Sequence, residues 1–493
     1  MKKFNKKYII GILIFIIFLI QSILYFQCVV DDSFITYRYG YNLVNYGYWN
    51  YNPDNNFTEA YTSALYAFLS IIPPLINLDV LIFFKFISII VFSLFLITIY
   101  LLRDCFETKN KYLALAIILF NPAFFIHLYA GLETCLFVLL IFQLFLFLYF
   151  NKYLNWTLIN IFLLPFVRPE GTIFSIVAII YLLYYNSKRY NIKYLNIKIL
   201  SIFVTWIIYF IWRYLYFKML LPNPFYVKVT SNDNNIISNI ITNFKGGYYY
   251  LIIILMAFIF FRNKLFRIFC VLSFLIFLFI YSPSTLAMDF AARFKFQVFF
   301  PLILCFILIN NVKKAYIIKY LSLFVIISVP IFHFSYYLYD SIKNNYNLLF
   351  KYKEIGIGLN KFYDSNFKFM IGEAGIIPYY SNLCVFDLSG LANSYIARNG
   401  LTKEFLNKEK IDVVVEYSFN ENRNLKDFLK SDFTKIDSVY IPGWNVYLNF
   451  YFKTSDINDY TKDKINSFKN KLERINKEEF DIYKYLKQEY IFD

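Results

Sequence analysis

A succession of apolar runs constrains this chain more than any other feature. They fall at about 8–27, 62–76, 80–102, 112–130, 132–150, 156–167, 172–186, 197–217, 247–261, 266–282, 294–311 and 316–332. Runs of roughly 18 or more apolar residues are long enough to cross a bilayer as helices. Composition agrees, with 59% hydrophobic and only 17% charged residues in 493, against a charged share of about 25% in ordinary soluble domains. The fold class expected is a polytopic α-helical membrane protein with about eleven transmembrane helices.

The net charge of +16 would suggest nucleic acid in a soluble protein. Here the basic residues cluster in short loops between apolar runs, which the positive-inside rule explains. No groove-reading motif is present, so nucleic acid is not an expected partner. Membrane lipids are. Lys188-Arg189, Arg262/Lys264/Arg267, Lys313-Lys314 and the loop with Arg103, Lys109 and Lys111 are expected on the cytoplasmic side. The basic N-terminus MKKFNKK joins them, ahead of an uncleaved first span in the plasma membrane. This weave closes only if 62–76 does not cross. Pro73-Pro74 supports that, because paired prolines break a helix. Residues 28–79 then form the first external loop. In the alternative, 62–76 spans and 156–186 is one helix, which leaves Arg168 and Glu170 in mid-membrane. The six cysteines show no C-x-x-C spacing and read as small core residues.

Residues 1–333 are thus expected to form the transmembrane domain and 334–493 a soluble extracytoplasmic α/β domain. Its expected elements are strands at 369–372 and 413–416, a hairpin over 440–447, and charged helices at 401–409 and 455–480.

Ionisable residues at the edges of apolar runs carry the functional signal, since such groups are costly near a bilayer unless they serve a site. Asp31-Asp32 follow the first run. A carboxylate there can take the proton of an attacking hydroxyl, and a second can hold a divalent cation beside a leaving phosphate. The same pair also suits the first turn of a helix over 34–39. Glu59 and Tyr61 end the same loop, where Glu59 can orient an acceptor or stay a solvated loop acid. Glu133, in Gly131-Leu132-Glu133-Thr134, can join a metal or sugar site or act as a helix N-terminal acid. Arg168 and Glu170 interrupt an apolar stretch and can bind phosphate or clamp each other. Arg213, Lys228 and Arg293 are cations placed to grip a lipid phosphate or to snorkel. His127 and His333 are too few to argue a metal site. The chain has no Walker A, G-x-G-x-x-G or G-x-S-x-G motif, which argues against ATP-driven transport and a soluble nucleotide-sugar donor fold.

Taken in order, these segments resemble a known family. They are DDSFITYRYGYNLVNYGYWNYNPDNNFTEAYTSALY at 31–66, GLET at 131–134, RPEG at 168–171, PNPFYVK at 222–228, Asp289 with Arg293-Phe294, and GEAGIIPYYSNLCVFDLSGLAN at 372–393. The pattern is similar to the GT-C glycosyltransferases, in particular the bacterial branch that includes the mycobacterial terminal arabinofuranosyltransferases. Ala60, Ser63 and Glu373 replace the usual Gly, Asn and Asp. The resemblance implies an inverting transfer of a sugar from a polyprenyl phosphate to an extracytoplasmic glycan, lipid or protein. It implies Asp31 or Asp32 as general base and Glu133 as a supporting acid. Substrate contacts would come from Glu59, Tyr61, Arg168, Glu170, Asn223, Lys228 and Arg293. A divalent cation (Mg, Mn or Ca), used by some members, would sit on Asp32 and Glu133. The rival reading is a non-enzymatic lipid-linked-sugar transporter or envelope-glycan assembly partner. A transporter should show inverted repeats, and none is visible.

Overall fold

The computed structural model describes residues 6–53, 57–185, 192–230, 236–245, 247–284, 289–309, 315–335, 338–365, 367–418, 432–441, 446–457 and 459–477. The first apolar run forms α1 (Lys6–Tyr25), and Asp31-Asp32 open α2 (Asp31–Tyr46). The proline-bearing run folds as two short helices, α3 (Ala64–Leu69) and α4 (Ile72–Leu75), rather than one rod. Ser63 caps α3 by accepting the Tyr66 amide. Pro73 sits in the first turn of α4, where its missing N–H has no intrahelical bond to lose. The α2 backbone crosses this bend at Gly40, where a Cβ would overlap the Ser70 main chain.

The helical body continues with α5 (Val80–Leu101), α6 (Thr108–Leu119), α7 (Pro122–Tyr129), α8 (Thr134–Phe150), α9 (Leu154–Val167), α10 (Gly171–Tyr185) and α11 (Ile192–Phe217). After it come α12 (Asn223–Thr230), α13 (Ile236–Lys245), α14 (Tyr248–Phe260), α15 (Lys264–Ile276), α16 (Arg293–Ile309) and α17 (Ala315–Ser335). Among the described residues, four helical stretches are long and apolar enough to cross a membrane, or up to six if the bent pairs α6/α7 (60°) and α13/α14 (77°) each count as one. The expected break at Arg168–Glu170 is present, between α9 and α10. Around α16, 94% of the apolar window is buried, against 17% along α11. So α16 is the central post, and α11 turns Leu200, Ile207, Ile208 and Ile211 outward. An apolar face of that extent suits lipid better than water, and the chain is in this sense membrane-associated.

The C-terminal part opens with α18 (Leu338–Leu359) and alternates β1 (Lys368–Ile371), α19 (Ile376–Ser381), β2 (Cys384–Asp387), α20 (Ser394–Asn399), α21 (Lys403–Glu409), β3 (Val413–Ser418), β4 (Phe433–Ile441), β5 (Val446–Lys453) and α22 (Asp459–Lys477). The sheet order is β2-β1-β3-β5-β4. Strand β1 runs parallel to β2 and β3, whereas β5 runs antiparallel to β3 and β4. Strand alternation sorts the side chains. Phe369, Ile371, Val413 and Val415 pack under α18, α19 and α22, while Met370 and Val414 meet α20 and α21 on the other face. The expected strands, hairpin and helices are therefore present, with the hairpin turn at 442–445 outside the described residues. The core on the α18 face also takes in Val29, Phe34, Tyr37, Tyr66, Leu81 and Phe84. Sheet layer and segment 28–79 thus share one hydrophobic core.

Candidate functional site

Asp31 opens α2 but does not cap it, since the N-cap position is Val30, whose side chain makes no cap hydrogen bond. Its carboxylate reaches across to the C-terminal part and accepts the amides of Gly375 (2.9 Å) and Ile376 (2.7 Å). A Cβ on Gly375 would overlap the Asp31 main chain, so only glycine permits this approach. Burial pushes the Asp31 carboxyl up to about 6, against the opposing pull of the Ile376 amide. Burial, and then Asp31 itself, hold the Glu373 carboxyl well above the usual carboxylate range. Of the two neighbouring acids, Glu373 is thus the one that favours the proton beside the Asp31 carboxylate.

Further bonds tie the same segment to the sheet layer. Arg38 donates to Leu383 O (2.5 Å), to Pro378 O and to Tyr51 O (2.7 Å). Tyr51 donates to Ala374 O (2.6 Å), and Asn52 exchanges bonds with the Val385 main chain (2.8 and 3.1 Å). Asp387 closes its own turn by accepting the Ser389 and Ala392 amides, and burial pushes it up to about 6. Asp32, half-buried beside Asp31, acts electrostatically on Arg293, Glu373 and Asp387.

A second cluster lies where α8, α10 and α16 begin. Glu133 Oε1 accepts from Arg168 Nη1 (2.5 Å) and Arg293 Nη2 (3.1 Å). Arg168 Nε donates to Glu170 Oε1 (2.5 Å), which also accepts the Tyr281 hydroxyl. Gln297 donates to Tyr281 (2.6 Å), and Arg293 Nε donates to Thr134 (3.0 Å). Tyr281 ends a π-helical turn, Phe277–Tyr281. Ala291 and Ala292, with φ of 49° and 52°, present Arg293 from a left-handed bend that non-glycine residues rarely adopt. Two carboxylates thus balance two guanidinium groups in a buried setting, as burial of charge requires.

A third cluster gathers Glu59, Arg213 and Asn223. Arg213 donates to Glu59 Oε2 (2.6 Å) and Leu220 O (2.8 Å). Asn223 takes the Glu59 carbonyl with its amide (2.8 Å) and donates to Gly390 O (2.6 Å) and Leu391 O (2.9 Å). Burial pushes the Glu59 carboxyl up to about 7 although Arg213 pulls it down. Tyr61 is buried nearby, accepting from Trp49 Nε1 (3.2 Å) and meeting Tyr39 edge to face. A cavity of about 510 Å³ opens against this cluster. Its walls are apolar, from Pro165 and Phe166 of α9, Ile176 of α10, and Trp206, Ile207 and Phe210 of α11. Glu59 and Arg213 are its charged lining, and the buried Arg213 Nη2 has no hydrogen-bond partner among the described residues.

The expected residues therefore fall into three neighbouring groups. Lys228 lies in α12, with its side chain outside the described residues. Tyr281, Gln297 and Asp387 join the clusters without a sequence motif that marks them as site residues, and Glu373 stands in the sequence only as a departure from the family pattern. For Glu373 and Asp387 the available signal is an acid at the end of each buried strand, Glu373 just after β1 and Asp387 as the last residue of β2, ahead of a Gly-containing turn. The donor set does not suit the expected metal on Asp32 and Glu133. Glu133 Oε1 is shared by two guanidinium groups, Asp31 is held by two amides, and no group of three or more His, Cys, Asp or Glu among the described residues is placed to hold an ion.

A domain family of unknown function (DUF8728) matches residues 341–463, which is the sheet layer from α18 into α22. No curated protein and no solved structure matches the chain.

Proposed function

We propose that this chain is an inverting glycosyltransferase of the plasma membrane that uses a polyprenyl-phosphate sugar. The observation that carries the reading is the apolar cavity with Arg213 in its wall. An isoprenoid chain needs a dry groove between helices, and its phosphate needs a guanidinium with donors to spare. Arg213 Nη2, without a hydrogen-bond partner among the described residues, supplies such a donor. In this reading about eleven helices span the bilayer, the N-terminus is cytoplasmic, and segment 28–79 and the sheet layer lie outside.

Between the two aspartates, the geometry favours Asp32 as base. Asp31 is 1% exposed, whereas Asp32 is half-buried and so within reach of a substrate. Asp32 takes the proton from the acceptor hydroxyl while that oxygen attacks the anomeric carbon opposite the phosphate. The sugar–phosphate C–O bond breaks, and Arg213 neutralises the departing polyprenyl phosphate. Glu133, Arg168, Glu170 and Arg293 form the rigid charge-balanced support beside Asp32.

The test is turnover of synthetic polyprenyl-phosphate sugars by the full chain in nanodiscs, with product anomer read by NMR. Asp32→Asn should lower the rate by about 100-fold or more, and Arg213→Ala should raise KM for the donor. Absence of turnover with every donor tried, or full activity in both variants, would sink the reading.

A further inference from the structure

A second cavity, of about 300 Å³, lies between segment 28–79 and the corner formed by α20 and α21. Resting on the transferase reading, we infer that this cleft binds the acceptor, and that the acceptor is a neutral glycan. The residues that matter are Asn50, Thr58, Asn393, Tyr395, Glu404 and Lys408.

Chemistry, charge and size point to a sugar. Amides and hydroxyls line the cleft, and these match the dense hydroxyls of a glycan. They are held in place. Asn50 Oδ1 accepts the Thr58 amide (3.1 Å), Asn42 donates to Asn50 O (2.9 Å), and Asn393 Oδ1 accepts the Ile396 amide (2.9 Å). Tyr395 is 37% exposed and stacks on Phe405 at 5.0 Å and 18°, which makes a fixed aromatic platform for the C–H face of a sugar ring. Glu404 and Lys408 stand one helical turn apart on α21 with opposite charges, and Glu409 is engaged by Lys368 (3.6 Å). The cleft therefore favours neither an anion nor a cation. A lipid acceptor would need apolar walls like those of the larger cavity. A volume of about 300 Å³ is at the small end of ligand sites, and suits the end of a glycan better than a folded protein surface.

Position gives the second argument. Thr58 lines this cleft, and its neighbour Glu59 lines the lipid-sized cavity. Pro222 lines the lipid-sized cavity and Ala392 the cleft, and Asn223 bonds the Gly390 and Leu391 carbonyls between them. Neighbouring residues of the same chain segments therefore line both cavities. Two substrates of opposite polarity are thus brought to the same segment.

The experiment uses the full chain in nanodiscs and saturation-transfer NMR. The probes are neutral di- to tetrasaccharides of arabinose, mannose, galactose and glucose, with octyl phosphate as an anionic competitor. We expect at least one oligosaccharide to bind, Tyr395→Ala to weaken it by about tenfold or more, Tyr395→Phe to retain it, and octyl phosphate not to displace it. Failure of every oligosaccharide to bind, binding that survives Tyr395→Ala, or displacement by octyl phosphate would each overturn the inference. Hydrolysis of a polyprenyl-phosphate sugar in the same nanodiscs separates the two ideas. Donor hydrolysis without oligosaccharide binding overturns the cleft and leaves the transferase reading standing. Oligosaccharide binding lost on Tyr395→Ala, without donor turnover, supports the cleft as a glycan site and counts against the transferase.

Discussion

Replacing Glu133 by Gln should destabilise the helical body more than any surface change, and a second substitution should restore much of the loss. Glu133 Oε1 serves both Arg168 and Arg293, with side chains of all three only 4–7% exposed. Removing its charge leaves two buried guanidinium groups in the cluster with Glu170 as their ion-pair partner among the described residues and the half-buried Asp32 acting on Arg293 from alongside. Breaking a buried pair by deleting one partner costs about 3–5 kcal/mol. At about 2 °C per kcal/mol for a large domain, the thermal midpoint should fall by about 6–10 °C. Arg293→Met alone leaves the opposite imbalance and should also destabilise. The double variant keeps the Arg168–Glu170 pair and returns the cluster to neutrality. It should recover more than half of the Glu133→Gln loss. The assay is a thermal-inactivation midpoint in nanodiscs at fixed heating rate, because unfolding of such a chain is read kinetically. Losses in the double variant that equal the sum of the two single losses would refute the charge-balance argument. They would mean that shape, not charge pairing, holds the cluster.

Three other outcomes are expected. Asp31→Asn offers one oxygen to two amides and should weaken docking of the sheet layer by about 1–3 kcal/mol, read as faster proteolysis of the C-terminal part; proteolysis at the wild-type rate would contradict this role of Asp31. Gly375→Ala should cost about 1–3 kcal/mol or more by overpacking against Asp31, and a thermal midpoint equal to wild type would show that the contact yields freely. Glu59, raised to about 7, holds a proton in the folded chain over pH 4.5–7 that the unfolded chain gives up, so its contribution to stability falls as pH rises through that window. Protonation also frees Arg213, so polyprenyl phosphate should bind more tightly as pH falls through about 7, and Glu59→Gln should flatten that dependence in a titration over pH 6–8; an unchanged slope in the variant would remove Glu59 from the account.

How much of this was legible in the sequence depends on how local the cause is. The Pro73-Pro74 break, the charged turn at Arg168–Glu170 and the buried strands at 369–372 and 413–416 follow from residues next to one another, and all are present. Strand β2 has only four residues, too few to show a period, and its identity comes from parallel pairing with β1. The span count was less legible. Helices α8 and α9 have 17 and 14 residues, at or below the lower limit for a straight crossing, so apolar composition overstates what length alone licenses. Least legible was the difference between Asp31 and Asp32. Adjacent acids look alike in sequence, and the amides that claim Asp31 lie 344 and 345 residues further on.

That distant pairing changes what the C-terminal part is for. A soluble appendage would carry its own closed core, but here Ile371, Ile376 and Val415 pack in one cluster with Phe34, Tyr37 and Phe84. Arg38, Tyr51 and Asn52 then spend their polar groups on main chain between Ala374 and Val385. A buried arginine with two of its partners among the backbone carbonyls of another layer loses both if that layer leaves. The segment carrying Asp31, Asp32 and Glu59 therefore takes its shape only with the sheet layer docked. Chemistry at these residues should be lost together with docking, even when the helical body stays folded.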